Sequence, residues 1–144
     1  MDEQRALQAQ QVFSGFAEAM NAWEVEAYAL SRPENGGLEA HLAPIRAGLV
    51  AIYDRFLTVR ERKIGRLAGP DVGYPPEYDP ANERVVAVQD LGKKFVLETV
   101  WTHPVMRDYS RQQRYTLVFA REAWRIDKKE VLRATTGKWT NQTF

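Results

Sequence analysis

The chain contains no cysteine, which excludes disulfides, thiol nucleophiles and thiolate metal ligands and is typical of a reducing compartment. Long apolar runs are also missing, because charged residues interrupt every hydrophobic stretch well before the ~20 residues that a membrane span needs. The first residues, Met1, Asp2 and Glu3, do not begin a basic region followed by an apolar core, so we expect no secretory signal. These absences predict a soluble cytoplasmic protein with no membrane partner.

A strong excess of charge of one sign is missing as well, since the formal net charge is +1. The distribution is uneven: residues 1–42 carry seven acidic and two basic residues. The basic cluster Arg60, Arg62, Lys63 and Arg66 is typical of a solvated helix end. No basic stripe with interleaved aromatic residues is apparent, so we expect no nucleic-acid partner.

The length of 144 residues fits a single domain with a conventional core, spanning residues 1–144. We divide it into a helical part (1–65), a Gly- and Pro-rich crossing loop (66–82), an antiparallel sheet (83–133) and a tail (134–144). Helices followed by strands, rather than alternating with them, predict the α+β class.

Apolar residues recur at steps of three and four in two stretches of the helical part, which predicts two amphipathic helices. The first stripe comprises Ala9, Val12, Phe16, Met20, Trp23, Ala27 and Leu30. The second comprises Leu38, Leu42, Ile45, Leu49, Ile52, Phe56 and Val59. Asp2 is a possible cap of the first helix, Pro44 fits the first turn of the second, and Gly65 can end the second.

After residue 83 the apolar period changes to two, which predicts strands with one buried face. The apolar faces comprise Phe95, Leu97, Thr99 and Trp101 in one strand, Tyr115, Leu117 and Phe119 in the next, and Trp124 and Ile126 in a third. Residues 83–89 add a first strand. The pattern predicts a curved antiparallel sheet of at least four strands packed against the helices.

Three local strings suggest a family: Tyr78-Asp79-Pro80 before the first strand, Trp-Arg-Ile-Asp-Lys-Lys at 124–129, and Gly-Lys-Trp at 137–139. Over roughly residues 74–139 the chain resembles the immunity proteins with a nuclear transport factor 2-like fold. Such proteins are encoded beside Rhs and other polymorphic toxins. The resemblance implies a cone-shaped fold and inhibition of one cognate toxin domain.

The chain departs from the family pattern in the turn before Trp124. The family typically has a glycine there, whereas this chain has Glu122 and Ala123. Glycine would ease the positive φ of a tight hairpin turn, so we expect a bulge or a longer turn instead.

The same fold, by analogy, also hosts isomerases and dehydratases, so an enzyme or ligand-binding protein stays open as the alternative. The possible acids and bases are His41, His103, Asp54, Tyr53 and Asp127. No acidic residues stand at metal-ligand spacing from either histidine, so we expect no catalytic residue, metal or cofactor. If the strand alternation continues beyond Trp101, His103 shares its buried face and is the possible pocket residue. We expect Asp54 to face solvent, and Asp127 to face solvent or a partner.

Polar and aromatic residues of the loops and tail are the candidates for contact with a partner, because Tyr, Trp and Arg are enriched at interface hot spots. They comprise Tyr74, Tyr78, Asp79, Arg107, Asp108, Tyr109, Arg111 and Trp139. The alternative, that each of them anchors a loop onto the sheet, stays open.

The combined hypothesis is an immunity protein, not an enzyme, that binds a toxin domain over its active site. The chain would act as a monomer or a homodimer. A third possibility is a dimeric scaffold or transport adaptor, because an open sheet with an apolar outer face would pair with a second copy of itself. A deep pocket holding His103 would favour the enzyme, and packed side chains would favour the immunity protein.

Overall fold

The computed structural model describes residues 3–60, 65–67, 69–70 and 72–144. Among these residues the α-helices are α1 (Glu3–Ser31), α2 (Gly37–Ala40) and α3 (Leu42–Phe56). The strands are β1 (Glu83–Asp90), β2 (Lys94–Thr102), β3 (Ser110–Ala120), β4 (Ala123–Arg133) and β5 (Lys138–Gln142). They form one antiparallel sheet in the order β1-β2-β3-β4-β5, with the helices on one face. The predicted α+β class is confirmed.

Helix α1 is a single helix of 29 residues whose predicted apolar stripe faces the core. Phe16 and Met20 are fully buried, and Val12 and Leu30 are partly buried against the same core. The proposed cap, Asp2, lies outside the described residues.

Two glycines let α1 and α3 approach closely. A Cβ on Gly48 would lie 3.1 Å from the Trp23 ring, and a Cβ on Gly15 would lie 3.0 Å from the Phe56 ring. The Trp23 indole Nε1 donates a hydrogen bond of 2.8 Å to the Ile45 carbonyl. The two helices are therefore joined by ring packing and by a buried polar contact.

Helix α3 ends at Phe56, so the prediction that it continues to Gly65 is wrong. Leu57 takes an extended conformation and forms a parallel bridge with Ile126 of β4, and Thr58 N donates to Ile126 O at 3.0 Å. This pairing satisfies backbone groups of β4 at the end that β5 does not reach. Val59 is consequently 73% exposed, outside the helical stripe that was expected to bury it.

The inner sheet face follows the predicted alternation in β2, where Phe95, Leu97, Thr99 and Trp101 are all buried. In β3, Tyr115 and Leu117 are buried as well. Phe119, near the end of the strand, is 61% exposed, contrary to expectation.

The segment expected to be a tail, residues 134–144, contains the fifth strand. Lys129–Arg133 of β4 pair with β5, and Leu132 stands opposite Trp139. Phe144 then enters the core, with its ring 5.7 Å from that of Phe16. The tail prediction is wrong because pairing with β4 supplies backbone partners that no local sequence pattern reveals.

A β-bulge in β4 changes which residues face the core. Thr116 pairs with Lys128 but the next residue, Leu117, pairs with Ile126, so Asp127 is the extra residue. The side-chain parity switches there, and Lys129 joins Ile126 on the buried face. Asp127 does not simply face solvent, because it accepts a hydrogen bond of 2.9 Å from Thr58 Oγ1 and also binds Arg60.

The β3–β4 turn has only two residues between the paired Ala120 and Ala123. Arg121 and Glu122 have φ values of 55° and 64°, the left-handed conformation at both central positions of a type I′ hairpin turn. The expected bulge or longer turn is therefore wrong at this place. The hairpin closes tightly without glycine and at a cost in backbone strain.

Replacing Glu122 with glycine is expected to raise the free energy of unfolding by about 0.5–1 kcal/mol, because glycine adopts positive φ without a Cβ clash. Denaturant unfolding measures the change. Glu122→Ala is the control, since it removes the carboxylate and keeps the Cβ. Equal stabilisation by both variants would attribute the gain to lost charge instead of relieved strain.

Candidate functional site

Large side chains pack between the helices and the sheet, and the fully buried Tyr78, Tyr115 and Lys129 are among the largest. An interior charge cluster occupies this region. It comprises Glu24, Glu77, Glu83, Arg66, Arg111 and Lys129. Three carboxylates and three cations balance formally, which lowers the cost of burying them.

Glu24 of α1 ties the crossing loop to the helix. Its carboxylate accepts hydrogen bonds from the backbone N–H groups of Glu77 and Tyr78 at 3.2 and 2.8 Å. It also forms an ion pair with Arg66. One turn earlier, the Asn21 side chain donates to Tyr78 O at 2.8 Å. A buried carboxylate thus fixes the backbone just before β1.

Arg66 is not part of a solvated helix end, contrary to expectation. Its guanidinium is largely buried and reaches both Glu24 and Glu77. Arg62 and Lys63 of the predicted basic cluster lie outside the described residues.

Glu77 lies among three cations. Its carboxylate is 3.1 Å from Arg66, 3.3 Å from Arg111 and 3.8 Å from Lys129 Nζ. Burial by itself would raise the pKa of Glu77, but Lys129, Arg66 and Arg111 together hold the pKa below its ordinary value. Glu77 is therefore the anionic centre of the cluster.

Lys129 is the buried cation that the β4 bulge places inside. Its Nζ donates to Tyr78 Oη at 3.1 Å and lies 4.6 Å from the centre of the Tyr78 ring. Burial lowers the pKa of Lys129, and the carboxylates of Glu77 and Glu83 oppose that shift. Burial also raises the pKa of Tyr78 and Tyr115 well above the ordinary value, so both phenols stay neutral.

Glu83, the first residue of β1, accepts hydrogen bonds from Thr99 Oγ1 at 2.6 Å and from Gln113 Nε2 at 2.9 Å. The acids and bases of the cluster are thus engaged with one another and with buried polar groups. This arrangement stabilises a fixed geometry, and it resembles a structural network more than a reaction centre with a nucleophile and a base.

The apolar period of the sequence does not reveal this cluster, although one signal for it exists. Glu24 stands four residues after Met20 and three before Ala27, so it falls on the buried stripe of α1, where an acid needs a partner. Lys129 gave no such signal, because its inward orientation depends on the bulge at Asp127.

The residues considered for catalysis are not brought together. A ring nitrogen of His41 lies 2.7 Å from Asn35 O, Tyr53 packs in the core, and Asp54 is exposed on α3. Across the described part of the chain, no three His, Asp or Glu side chains group in a way that could hold a metal ion.

His103 does not face the interior, so its prediction as a pocket residue is wrong. Strand β2 ends at Thr102, and with it the alternation on which that prediction depended. His103 begins the β2–β3 connection, where its Nδ1 accepts hydrogen bonds from the backbone N–H groups of Val105 and Met106 at 3.1 and 2.9 Å. It organises a surface loop.

Five of the predicted partner-contacting residues gather at one end of the sheet, where the β2–β3 connection (residues 103–109) leaves it; we call this region the loop end. They are Asp79, Arg107, Asp108, Tyr109 and Arg111. Arg107 donates to Asn82 Oδ1 at 2.7 Å, and Asn82 N donates to Asp79 O at 2.8 Å. The start of β1 and the 103–109 loop are therefore linked.

Aromatic packing underlies the loop end. The Arg111 guanidinium lies 4.1 Å from the centre of the Trp101 ring, which also packs edge-on against Tyr109 and His103 at 6.3 and 5.7 Å. The Trp101 indole donates to Glu77 O at 2.9 Å. Trp101 thus contacts both the interior charge cluster and the surface loop.

The other three predicted contact residues lie elsewhere. Tyr78 is 1% exposed, because its ring packs in the core beneath Lys129. The prediction that Tyr78 contacts a partner at the surface is therefore wrong. Trp139 of β5 lies 4.3 Å from the Arg114 guanidinium. Tyr74 is 74% exposed and its ring is 5.6 Å from that of Tyr28 on α1.

Residues 8–143 match the sequence model of a family described as NTF2 fold immunity protein. The chain belongs to this family. A curated relative, the immunity protein RhsIA of Dickeya dadantii (strain 3937), is 37% identical over 131 residues, which cover 91% of this chain and 92% of the relative. No solved structure gives a significant match. The resemblance inferred from residues 74–139 is confirmed and extends to the helices.

The family membership gives the chain an immunity protein function, and its helices and sheet agree with the fold that the family name states. The small-molecule enzyme considered as the alternative is not favoured. In the part of the chain that the structure describes, no helix is both long and apolar enough to cross a membrane.

Glu24→Ala is expected to lower the free energy of unfolding by about 3 kcal/mol, because it leaves Arg66 and two backbone donors without their buried acceptor. Glu26→Ala, on the exposed side of the same helix, is the matched control and should change stability by less than about 0.5 kcal/mol. Urea denaturation compares the two. Similar losses would show that Glu24 does not fix the crossing loop.

The pH dependence of stability reports on Glu77. Because its pKa is depressed in the folded state, its contribution is complete above the ordinary value of 4.5 and is lost as the pH falls through the folded pKa. Glu130, whose pKa is lowered mainly by its hydrogen bond with Arg114, acts in the same direction. We expect Glu77→Gln to be less stable at pH 7 and to lose less further stability between pH 6 and 3. An unchanged acid slope would contradict the assignment.

Proposed function

We propose that this immunity protein neutralises one cognate toxin domain by covering its active site or substrate groove, with no chemistry of its own. Family membership over residues 8–143 carries the proposal, and the relative named RhsIA favours an Rhs toxin as the target. The packing of large side chains such as Tyr78, Tyr115 and Lys129 in the described interior supports a binding role. We place this encounter in the cytoplasm.

The loop end is the proposed contact surface. It presents Arg107, Asp108 and Tyr109 on a loop whose base is fixed by Trp101 and Arg111. A Tyr side chain supplies contact area at low entropic cost, and Arg107 is held in place by its hydrogen bond to Asn82. A specific complex would bury roughly 1,600 Å² in total, so Tyr74 and Trp139, which lie outside the loop end, are proposed as further contacts.

Growth of bacteria tests the function. The C-terminal domain of the large protein encoded immediately upstream is expressed with and without this chain on a second plasmid. We expect the domain alone to arrest growth, the chain to restore growth, and the two proteins to co-purify. Killing that proceeds equally in the presence of the chain would contradict the proposed pairing.

Arg107→Ala is expected to weaken binding of that toxin domain about tenfold, which is the size of a moderate hot spot. Arg121→Ala is the matched control, because Arg121 is an exposed arginine in the β3–β4 turn at the opposite end of the sheet. Titration calorimetry measures both. A larger loss of affinity in Arg121→Ala than in Arg107→Ala would contradict the loop end as the contact surface and assign contact to the β3–β4 turn.

A further inference from the structure

The 103–109 loop exposes three large apolar side chains. Val105 is 69% exposed, Met106 55% and Tyr109 48%. No other window of five consecutive described residues holds three exposed large hydrophobic side chains. Clustered exposed apolar surface is characteristic of interaction sites, whereas single exposed residues are ordinary.

The backbone of this loop is fixed by its own hydrogen bonds. His103 Nδ1 accepts from the N–H groups of Val105 and Met106, as described above. In addition, His103 N donates to Tyr109 O at 2.9 Å, Tyr109 N to Met106 O at 2.9 Å, and Arg107 N to Val105 O at 3.1 Å. These bonds hold the backbone that carries the exposed side chains in one conformation before any partner arrives.

The His103 ring is itself fixed from both sides. It packs edge-on against Trp101 at 5.7 Å and against Tyr109 at 6.2 Å. Because the Trp101 indole donates a hydrogen bond to Glu77 O, the imidazole packs against a ring that is held by a residue of the interior charge cluster.

We propose that Val105 and Met106 form a preorganised apolar knob that inserts into an apolar pocket of the toxin domain, with His103 as the positioning residue that shapes it. The inference rests on the proposed function and deepens it by assigning the anchor of the complex. Preorganisation favours tight binding, because the loop loses little conformational freedom when it is covered. Methionine suits this role, since its flexible thioether adapts to irregular pockets.

The charges beside the knob favour a protein pocket over a lipid surface. Arg107 is followed directly by Asp108. Asp79 is linked to Arg107 through Asn82, which accepts a hydrogen bond from Arg107 and donates one to Asp79 O. A loop that inserts into an anionic membrane is surrounded by several uncompensated cations. A small apolar tip with balanced charges instead fits a shaped cavity with a mixed polar rim.

The first test is titration of the purified upstream toxin domain into the wild-type chain and into Val105→Asp and Met106→Asp. We expect each variant to bind about 100-fold more weakly, because a carboxylate would be buried without a partner. Leu91→Asp is the matched control, since Leu91 is 45% exposed in the β1–β2 turn at the opposite end of the sheet, and it should bind within about threefold of wild type.

The outcomes separate the two proposals. No binding by the wild-type chain would contradict the proposed function itself. Wild-type binding that Val105→Asp and Met106→Asp leave unchanged would overturn the knob alone. Co-sedimentation of the wild type with phosphatidylcholine–phosphatidylserine vesicles that Met106→Asp abolishes would assign the knob to a membrane and also overturn the inference.

The second test addresses His103. His103→Ala should weaken toxin binding about tenfold and accelerate hydrogen exchange of the Val105 and Met106 amides, with little change in the urea midpoint. His103→Asn should restore both properties, because an asparagine side chain accepts the same backbone N–H groups in an Asx turn. Equal behaviour of the Ala and Asn variants would show that His103 does not shape the knob.

Discussion

The loop end depends on the buried Glu24 carboxylate, which accepts hydrogen bonds from two backbone N–H groups. This carboxylate fixes Glu77 and Tyr78 against α1, and Glu77 in turn supports Trp101 through its carbonyl and Arg111 through its carboxylate. Without that anchor the segment before β1 would lose two of the hydrogen bonds that hold it to α1. The support that Glu77 gives to Trp101 beneath the surface loop would then be weaker.

The β4 bulge completes this arrangement from the opposite side. One extra residue, Asp127, turns Lys129 inward, where its ammonium group offsets the carboxylate of Glu77. Thr58 bonds both to Asp127 and to the backbone at Ile126, so the segment after α3 stabilises the bulge. The end of α3 is thus linked to the bulge through Thr58, and the bulge is linked to the interior charge cluster through Lys129.

Sequence periodicity predicts the elements whose burial repeats locally, and it identified the stripes of α1 and β2. It did not predict where α3 ends, the bulge at Asp127 or strand β5. The end of α3 depends on pairing with the distant strand β4, and the bulge and β5 depend on backbone pairing in hairpins that the apolar period does not record. Residue chemistry pointed to Arg107 and its neighbours at the loop end. It passed over Val105 and Met106, since apolar residues in a loop have no period that marks them as exposed.

The same physics separates the residues that maintain the shape from those that are free to set specificity. Changing Glu24 or Lys129 alters buried charge and carries a large stability penalty, whereas Val105 and Met106 are exposed and their replacement costs little folding energy. A change at the knob therefore alters complementarity to a partner without unfolding the chain that presents it. An immunity protein built in this way can follow a change in its toxin through the tip of one loop while His103 and Trp101 keep the loop in place.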